Sequence, residues 1–388
     1  RADDIRVASD GAKVDVLALE SDEIGASDSI QEPYNSVSNA DSIGALVSKA
    51  LAVPTREALE SLLEKTGEKS LDDYVAKQLG YKSAKDIPFF SAEQIDGLAE
   101  SFYNLSNGGG NIIADQTGVG KGRIAAAIIQ WASKHGKIPV FFTEKVGLFN
   151  DILRDLKAIG GDKLRPFIFN ANGEMSYEDD SGKKVVVYKH NKKVFQEVFR
   201  RMMAGDYSDF TGPNRKFDYI ALTYSQIRDG EEQRGKRGYL KKDAFAKARN
   251  LIPILDESHN AAGSAGDVAG SGGGRGGQDK RSNQMANTMG IINRDRADGV
   301  TYLSATWAKT PENMPVYYRV FNQENLTQDE IQTAFGRGNI AMQEMVVATL
   351  AAAGKYIRRE QSFAGVSWKK NETDPKSEQA DKEKSQAD

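Results

Sequence analysis

The sequence contains no cysteine, and its three histidines, His135, His190 and His259, lie far apart. Disulfides and thiolate zinc sites are therefore excluded, and the scattered histidines do not make a metal centre. No run approaches the roughly 18 apolar residues needed to span a bilayer, and no signal-peptide pattern opens the chain. Charge of one sign is also lacking: 52 basic against 55 acidic residues leave a formal net charge of −3. A nucleic acid must then be met by a local basic face rather than a global field. The chain begins at Arg1 rather than Met, so a fragment or processed product is expected. Its 388 residues suit one large domain or two to three small ones.

The hydrophobic pattern divides the chain. Residues 1–50 are rich in Asp, Ser, Ala and Gly with weak periodicity, and read as a mostly disordered or extended leader. Residues 51–88 read as a small helical segment. Its pattern turns helical at Pro54, and Ala58, Leu59, Leu62 and Leu63 recur at helix spacing as far as Gly67. Ser70 with Asp73 predicts a capped second helix that Gly80 closes, and a third begins at Ser91. Beyond it, strand-like runs at 111–114, 139–143, 166–170, 219–223, 251–255 and 301–304 alternate with helical ones. That alternation predicts an α/β fold, a mainly parallel sheet with helices on both faces. The polar stretch 171–184 is expected to be a hairpin or loop. The Gly- and Ser-rich stretch 261–278 is expected to be a flexible insert, and 369–388 a polar disordered tail.

The segment ADQTGVGKGR, residues 114–123, sits between a strand-like NIIA and a helical IAAAIIQWA. Backbone N–H groups at such a glycine turn wrap a polyphosphate, and the helix N-terminus favours negative charge. Thr117, Gly118, Val119, Gly120, Lys121, Gly122 and Arg123 are thus candidate ATP-binding residues, with Lys121 placed for the terminal phosphates. Gly122 stands where the common loop has a Ser or Thr that binds Mg²⁺. Thr117 either supplies the missing hydroxyl or is an ordinary turn residue. Arg123 either contacts phosphate or pins the loop to an acidic neighbour.

LDESHN, residues 255–260, follows an apolar run, as a carboxylate pair at the carboxyl end of a strand should. Asp256 would hold Mg²⁺, and Glu257 would orient and deprotonate the attacking water. His259 lies where it could link nucleotide state to a partner surface. An ordinary Asp-Glu pair is the plainer reading, and its order after a phosphate loop argues against that. Pro253 is an objection, because it removes a ladder donor from a strand that should be central. In LSATW, Ser304 and Thr306 taken alone read as an ordinary strand-end turn; their place after DESH makes them a candidate for the segment that couples hydrolysis to movement in nucleic-acid motors. Gln94 could pair with the adenine edge, with Phe89 or Phe90 on the ring, or could simply close a capping box with Ser91.

Together these segments resemble the Strawberry-notch-like branch of superfamily 2 helicases. Gly120 to Arg123 match its Gly-Lys-Gly-Arg loop. PVFFTEKVGLFNDILRDLKAIG resembles its next motif, with Asp151, Arg154, Asp155 and Leu156 in spacing. FDYIALTYSQI resembles its Thr-Tyr motif, TYLSATWAKTPENM its Ser-Ala-Thr motif, and AMQEMVVATLAAAGKYIRREQSF the end of its first half. Ser258 replaces the family's usual Cys and should preserve the carboxylate chemistry.

The resemblance implies a RecA-like P-loop NTPase lobe over residues 89–368, preceded by the small helical segment. It implies ATP and Mg²⁺ as cofactors and DNA, in particular duplex DNA, as partner. Thr143, Lys145, Thr223, Tyr224 and Ser225 are its implied nucleic-acid contacts. DQTGVGKGR and FFTEKVGLF look closer to phage and bacterial members, including antirestriction proteins packaged in virions. A bacterial cytoplasm or virion, phage virion partners and no membrane are then expected. No second α/β pattern follows Trp368, so a second lobe is expected in a parent chain or partner. Alone, this lobe is expected to bind ATP weakly and hydrolyse it slowly, because the second lobe supplies the arginine finger. Arg358 and Arg359 are expected at the lobe surface or on DNA. Two other roles remain: a packaged structural module without motor activity, and a nucleotide-gated switch for a nuclease or methyltransferase domain.

Overall fold

The computed structural model describes residues 5–7, 13–15, 30–179, 181–228, 240–262, 276–307, 311–321 and 340–362. The predicted tail at 369–388 and most of the predicted Gly-rich insert lie outside them. The chain divides into two units. In the smaller, Arg1–Asp22 with Ser362–Asp388, strands β1 (Ile5–Val7) and β2 (Lys13–Asp15) pair antiparallel.

The larger unit, Glu23–Gln361, is built on a seven-stranded sheet. Its strands are β5 (Gly110–Ile113), β6 (Ile138–Thr143), β7 (Pro166–Ile168), β10 (Tyr219–Thr223), β11 (Leu251–Asp256), β12 (Val300–Leu303) and β13 (Tyr356–Ile357). They lie in the order β13-β5-β12-β11-β6-β10-β7, every neighbour parallel. Six of the seven are the strand-like runs read from sequence. β13 has two residues, too few to register as a pattern.

Alternate residues of these strands feed two hydrophobic cores, one on each face. Ile112, Val140, Phe142, Ile220, Leu222 and Leu255 point to one, and Ile113, Phe141, Ala221, Ile252 and Ile254 to the other. Burial on both faces is why the strands read as continuous apolar runs. The second core is covered by α3 (Ala92–Ser106), α4 (Lys121–Lys134) and α5 (Leu148–Ala158). The first is covered by α6 (Lys192–Ala204), α7 (Gly276–Ile292) and α8 (Ile340–Ala352).

Pro253 does lie in a central strand, and the register shows how. β11 touches the β12 segment at Leu251↔Ala297 and again from Ile254↔Thr301, so β12 carries one extra residue across from Pro253. The ladder on that side is broken where the proline has no N–H to give. Pairing to β6 continues through Pro253↔Val140. The stretch expected to be a hairpin or loop is an antiparallel pair, β8 (Glu174–Glu178) with β9 (Lys184–Lys189).

The amino-terminal expectation needs correction. Helix α1 (Lys49–Thr66) starts before Pro54 and runs through it. Residues 30–48 are no loose leader. β3 (Gln31–Pro33) pairs antiparallel with β4 (Leu46–Ser48), and Leu46 exchanges backbone bonds with Glu360. The polar residues between them are tied to buried carboxylates. Asp96 accepts from Tyr34 Oη and from the Val37 and Ser38 amides. Asp72, on α2 (Leu71–Gln78), accepts from Ser38 Oγ and the Asn39 amide. Glu93 accepts from Ser42 Oγ and the Ile43 amide. The local signals do hold: Ser70 accepts from the Asp73 amide, and Ser91 with Gln94 forms a complete capping box.

Asp96→Ala would leave three donors without their acceptor. It is expected to lower stability by about 2–4 kcal/mol, since unmade buried hydrogen bonds cost 1–3 kcal/mol each and share some water. Urea unfolding checks this, and a loss below about 1 kcal/mol would show that segment 30–48 is not tied down as described.

Candidate nucleotide site

β5 leads into the glycine loop, and α4 opens at Lys121. Gly118 (φ +99°) and Gly120 (φ +105°) have left-handed backbone. A Cβ at Gly118 would also collide with the Gln361 side chain, and one at Gly120 with Gln94. Both positions therefore require glycine for their backbone conformation, and a larger residue would also displace these glutamine side chains. Val119 between them is fully buried and anchors the loop, while Thr117 and Gly118 are exposed. The Thr117, Gly118 and Gly120 amides make no intrachain hydrogen bond. They are donors available to phosphate oxygens. Lys121 Nζ donates to the Asp115 carbonyl at the start of the loop.

Gly122 has a different reason. Its backbone is helical, but the Asp155 carboxylate, projecting from α5, fills the place of its Cβ. Asp155 is 14% exposed and lies 3.5 Å from Arg154 Nε. Burial raises its carboxyl, and Arg154 and Arg123 draw it back down. Arg123 also donates to the Phe89 carbonyl at 2.8 Å. The Gly-Lys-Gly-Arg and Arg-Asp-Leu segments thus meet in space. The sequence shows both motifs but carries no sign of their contact.

Gln94 has its amide engaged at both ends. Its Oε1 accepts from the Ser91 amide and its Nε2 donates to the Val119 carbonyl at 3.3 Å. It caps α3 and holds the loop at once. Phe90 belongs to the core, whereas Phe89 is half-buried beside Arg123.

Asp256 ends β11. Its Oδ2 accepts from Thr143 Oγ1 at 3.2 Å, and its main-chain carbonyl accepts from Tyr224 Oη at 2.8 Å. Burial pushes its carboxyl up to about 6, and the Glu257 charge adds to this. The Thr143 hydroxyl and the Lys121 ammonium oppose the shift. The loop lysine and the strand-end carboxylate therefore share one electrostatic field. Glu257 is one of two non-glycine residues with left-handed backbone among those described, φ +47°. Such a conformation costs about 1–3 kcal/mol and gathers at functional turns. His259 Nδ1 lies 3.5 Å from the Glu257 carboxylate, 2.8 Å from Ser304 Oγ and 3.1 Å from Thr306 Oγ1. The acidic pair and the Ser-Ala-Thr segment are joined through this imidazole. Ser258 turns inward, where its Oγ bonds Tyr317 Oη at 2.9 Å.

Three expected nucleic-acid contacts are not at the surface. Thr143 is buried on Asp256, Thr223 bonds Asn170, and Tyr224 stacks on Phe142. Each lies in or at the end of a central strand, where side chains are covered. Lys145 and Ser225, each two residues beyond a buried threonine, are exposed. The surface expectation for Arg358 and Arg359 also fails: both are buried, and Arg359 pairs with Asp115. Sequence reasoning missed Asp115, Asp155 and Gln361 as loop neighbours. A cavity of about 500 Å³, lined by Lys137, Arg294 and Arg319 among others, lies at the opposite edge of the sheet and contains none of the motif residues.

A model of the family described as "P-loop containing NTP hydrolase pore-1" matches residues 98–382. The chain belongs to this family. The seven-stranded parallel sheet, with the loop after β5 and the acidic pair after β11, is accordingly a RecA-like P-loop NTPase fold. Protein strawberry notch homolog 1 of Gallus gallus is 28% identical over 301 residues, 74% of this chain and 21% of that protein. The Homo sapiens homolog is 27% identical over 298 residues, covering 73% and 19%. Protein strawberry notch of Drosophila melanogaster is 27% identical over 268 residues, covering 67% and 14%. The chain thus spans about a fifth of the length of the relatives it matches first. The Sulfolobus solfataricus SWI2/SNF2 ATPase core domain overlaps 69% of the chain and 42% of its own at 14% identity and a TM-score of 0.41. The fold assignment rests on the sheet and the family match rather than on that overlap. No helix among the described residues is long and apolar enough to cross a membrane.

Proposed function

We propose that this lobe binds Mg²⁺–ATP as part of a helicase- or translocase-type motor on double-stranded DNA. The convergence of Lys121 and Asp256 at the carboxyl edge of the sheet carries the reading. In it, the loop amides from Thr117 to Gly122, at the N-terminus of α4, hold the phosphates, and Lys121 leaves the Asp115 carbonyl for the terminal ones. Gln94 exchanges its Ser91 and Val119 partners for the adenine edge, with Phe89 beside the base. Asp256 holds Mg²⁺, kept in place by Thr143. The metal, when bound, neutralises charge between the phosphates. Glu257 orients the attacking water and takes its proton. His259, bonded to Ser304 and Thr306, passes the state of Glu257 to the Ser-Ala-Thr segment.

Lys145 and Ser225, exposed beyond β6 and β10, meet the phosphodiester backbone without reading sequence. A second RecA-like lobe completes the motor with an arginine finger. Within this reading, the parent gene belongs to the phage and bacterial branch whose members the loop and FFTEKVGLF resemble, as an antirestriction or DNA-protection protein carried in the virion.

Lys121→Ala is expected to weaken ATP binding about 10–100-fold, the worth of a charge-assisted bond. Titration with a fluorescent ATP analogue measures it, and unchanged affinity would sink the site assignment. Duplex DNA binding is expected to fall steeply between low and moderate salt. Salt-insensitive binding, or nucleotide binding with no DNA binding at all, would favour a structural module over a motor.

A further inference from the structure

A chain with a net charge of −3 needs a local gathering of cations to hold DNA. Lys145 and Ser225 supply only one. Residues 183–193, KKVVVYKHNKK, contain five lysines and no acid. They form β9 and lead into the first turn of α6. Lys184 pairs with Glu174 across the hairpin, and Lys189 adds a longer-range pull on that glutamate. Asp179 is occupied by the Ser181 and Lys183 amides of the tip turn. Lys189, Lys192 and Lys193 are exposed and make no ion pair with a described residue. Lys192 and Lys193 open a helix with no acid in its first turn, where the helix dipole disfavours cations. The helix amides are not what is on offer there, since Asn191 Oδ1 already accepts from those of Lys193 and Val194. These cations stand where the fold gains nothing from them.

Direct contacts tie this stretch to the end of the sheet that carries Ser225. His190 donates from Nδ1 to the carbonyl of Ile168, the last residue of β7, at 2.9 Å. Asn170, just past β7, bonds Thr223 at 2.8 Å, and Thr223 bonds Ser225 at 2.8 Å. Lys241 Nζ bonds the Gln226 side chain and lies 5.8 Å from the centre of the Phe195 ring, in the first turns of α6. Lys145, Ser225 and the base of the hairpin thus follow the carboxyl ends of three adjacent strands, β6, β10 and β7. We propose that Lys189, Lys192 and Lys193 hold the phosphodiester backbone of duplex DNA, extending the contact of Lys145 and Ser225 across the end of β7. This rests on the duplex-DNA reading above. The competing occupant of the hairpin is a protein seated on Val186 and Val187, which are 46% and 41% exposed on β9.

The test compares the wild-type 388-residue chain with the triple variant Lys189→Gln/Lys192→Gln/Lys193→Gln and with the same three positions changed to Arg. A control changes Lys65, Lys69 and Lys82, exposed lysines of the helical segment before the sheet, to Gln, which alters net charge equally. Binding to a fluorescent DNA duplex is titrated at several salt concentrations, and binding of a fluorescent ATP analogue reports that each chain is folded. The Gln triple is expected to lose about 10–100-fold in duplex affinity at low salt, and its plot of log affinity against log salt to flatten by about 2–3 in slope, one unit for each phosphate contact removed. The Arg triple keeps the charges and is expected to stay within about 2-fold of wild type, as is the control. A Gln triple with wild-type affinity and slope overturns this proposal alone and leaves the hairpin to a protein partner. An equal loss in the control also overturns it, because net charge and not this surface would then be responsible. A wild-type chain that binds ATP but no duplex overturns the DNA reading and this proposal together.

Discussion

Arg359→Ala is expected to lower the unfolding free energy by about 3–5 kcal/mol, the cost of breaking a buried ion pair from one side. The Arg359 side chain is fully buried and gives Asp115 two bonds, Nε to Oδ1 at 3.0 Å and Nη2 to Oδ2 at 2.6 Å. Its backbone amide adds a third to Oδ1 at 2.9 Å. Nη1 donates to the Glu93 carbonyl, and the guanidinium lies 5.1 Å from the centre of the Tyr34 ring. The surroundings are acidic. Burial pushes Asp96 up to about 6 and holds Glu100, whose oxygens have no partner, well above the usual carboxylate range. Arg359 is the cation that draws both back down.

Removing it raises those two carboxyls further above their unfolded values. The folded state then keeps protons that the unfolded chain has released, so stability falls as pH rises through the new folded values. The deficit of Arg359→Ala against wild type is therefore expected to be larger near pH 8 than near pH 5.5. Urea unfolding at both pH values decides it, and equal deficits would show that lost packing, not charge, is responsible. The same change should weaken nucleotide binding. Arg359 fixes Asp115, the residue whose carbonyl receives Lys121, and its own carbonyl accepts from the Gln116 amide at 2.8 Å. The phosphate loop is thus clamped by the segment that follows β13.

That clamp marks where the sequence stops being legible. Strand order along the chain, the capping boxes at Ser70 and Ser91, and the loop–carboxylate–hydroxyl motif series are all local patterns. Each is produced by burial on two faces or by bonds spanning three residues. The fastening of residues 30–48 is different. Ser38 reaches Asp96 across 58 positions, and a serine-rich segment satisfied by distant carboxylates has the composition of a disordered one. Arg359 and Asp115 are 244 positions apart, and nothing in RRE or ADQ signals that either side chain is buried. Thr143 and Tyr224 share this cause. Their motifs are visible, but the direction each side chain takes at a strand end is set by Asp256, which the motif does not contain. Gly122 is the sharpest instance, since its identity depends on a residue of the next helix.

Glu257→Gln is expected to reduce ATP turnover about 10²–10⁴-fold, the usual worth of a general base, while leaving nucleotide affinity near the wild-type value. The two carboxylates at the end of β11 are not equivalent. Asp256 is half-buried, bonded to Thr143 and drawn on by Lys121, as a metal-holding group should be. Glu257 is 39% exposed on a left-handed backbone, facing an imidazole instead of the loop lysine. The amide of Gln keeps the shape and the His259 neighbour but cannot accept a proton. Turnover with Mg²⁺–ATP and duplex DNA, measured beside nucleotide binding, separates the roles. A parallel loss of binding would move Glu257 into the metal site, and unchanged turnover would remove it from the chemistry. His259→Ala is expected to act differently, sparing basal turnover and abolishing its stimulation by DNA, because the imidazole joins Glu257 to Ser304 and Thr306 without facing the phosphate loop. If both variants lost basal turnover equally, the imidazole would belong to the hydrolytic step itself and coupling would have to run through another contact.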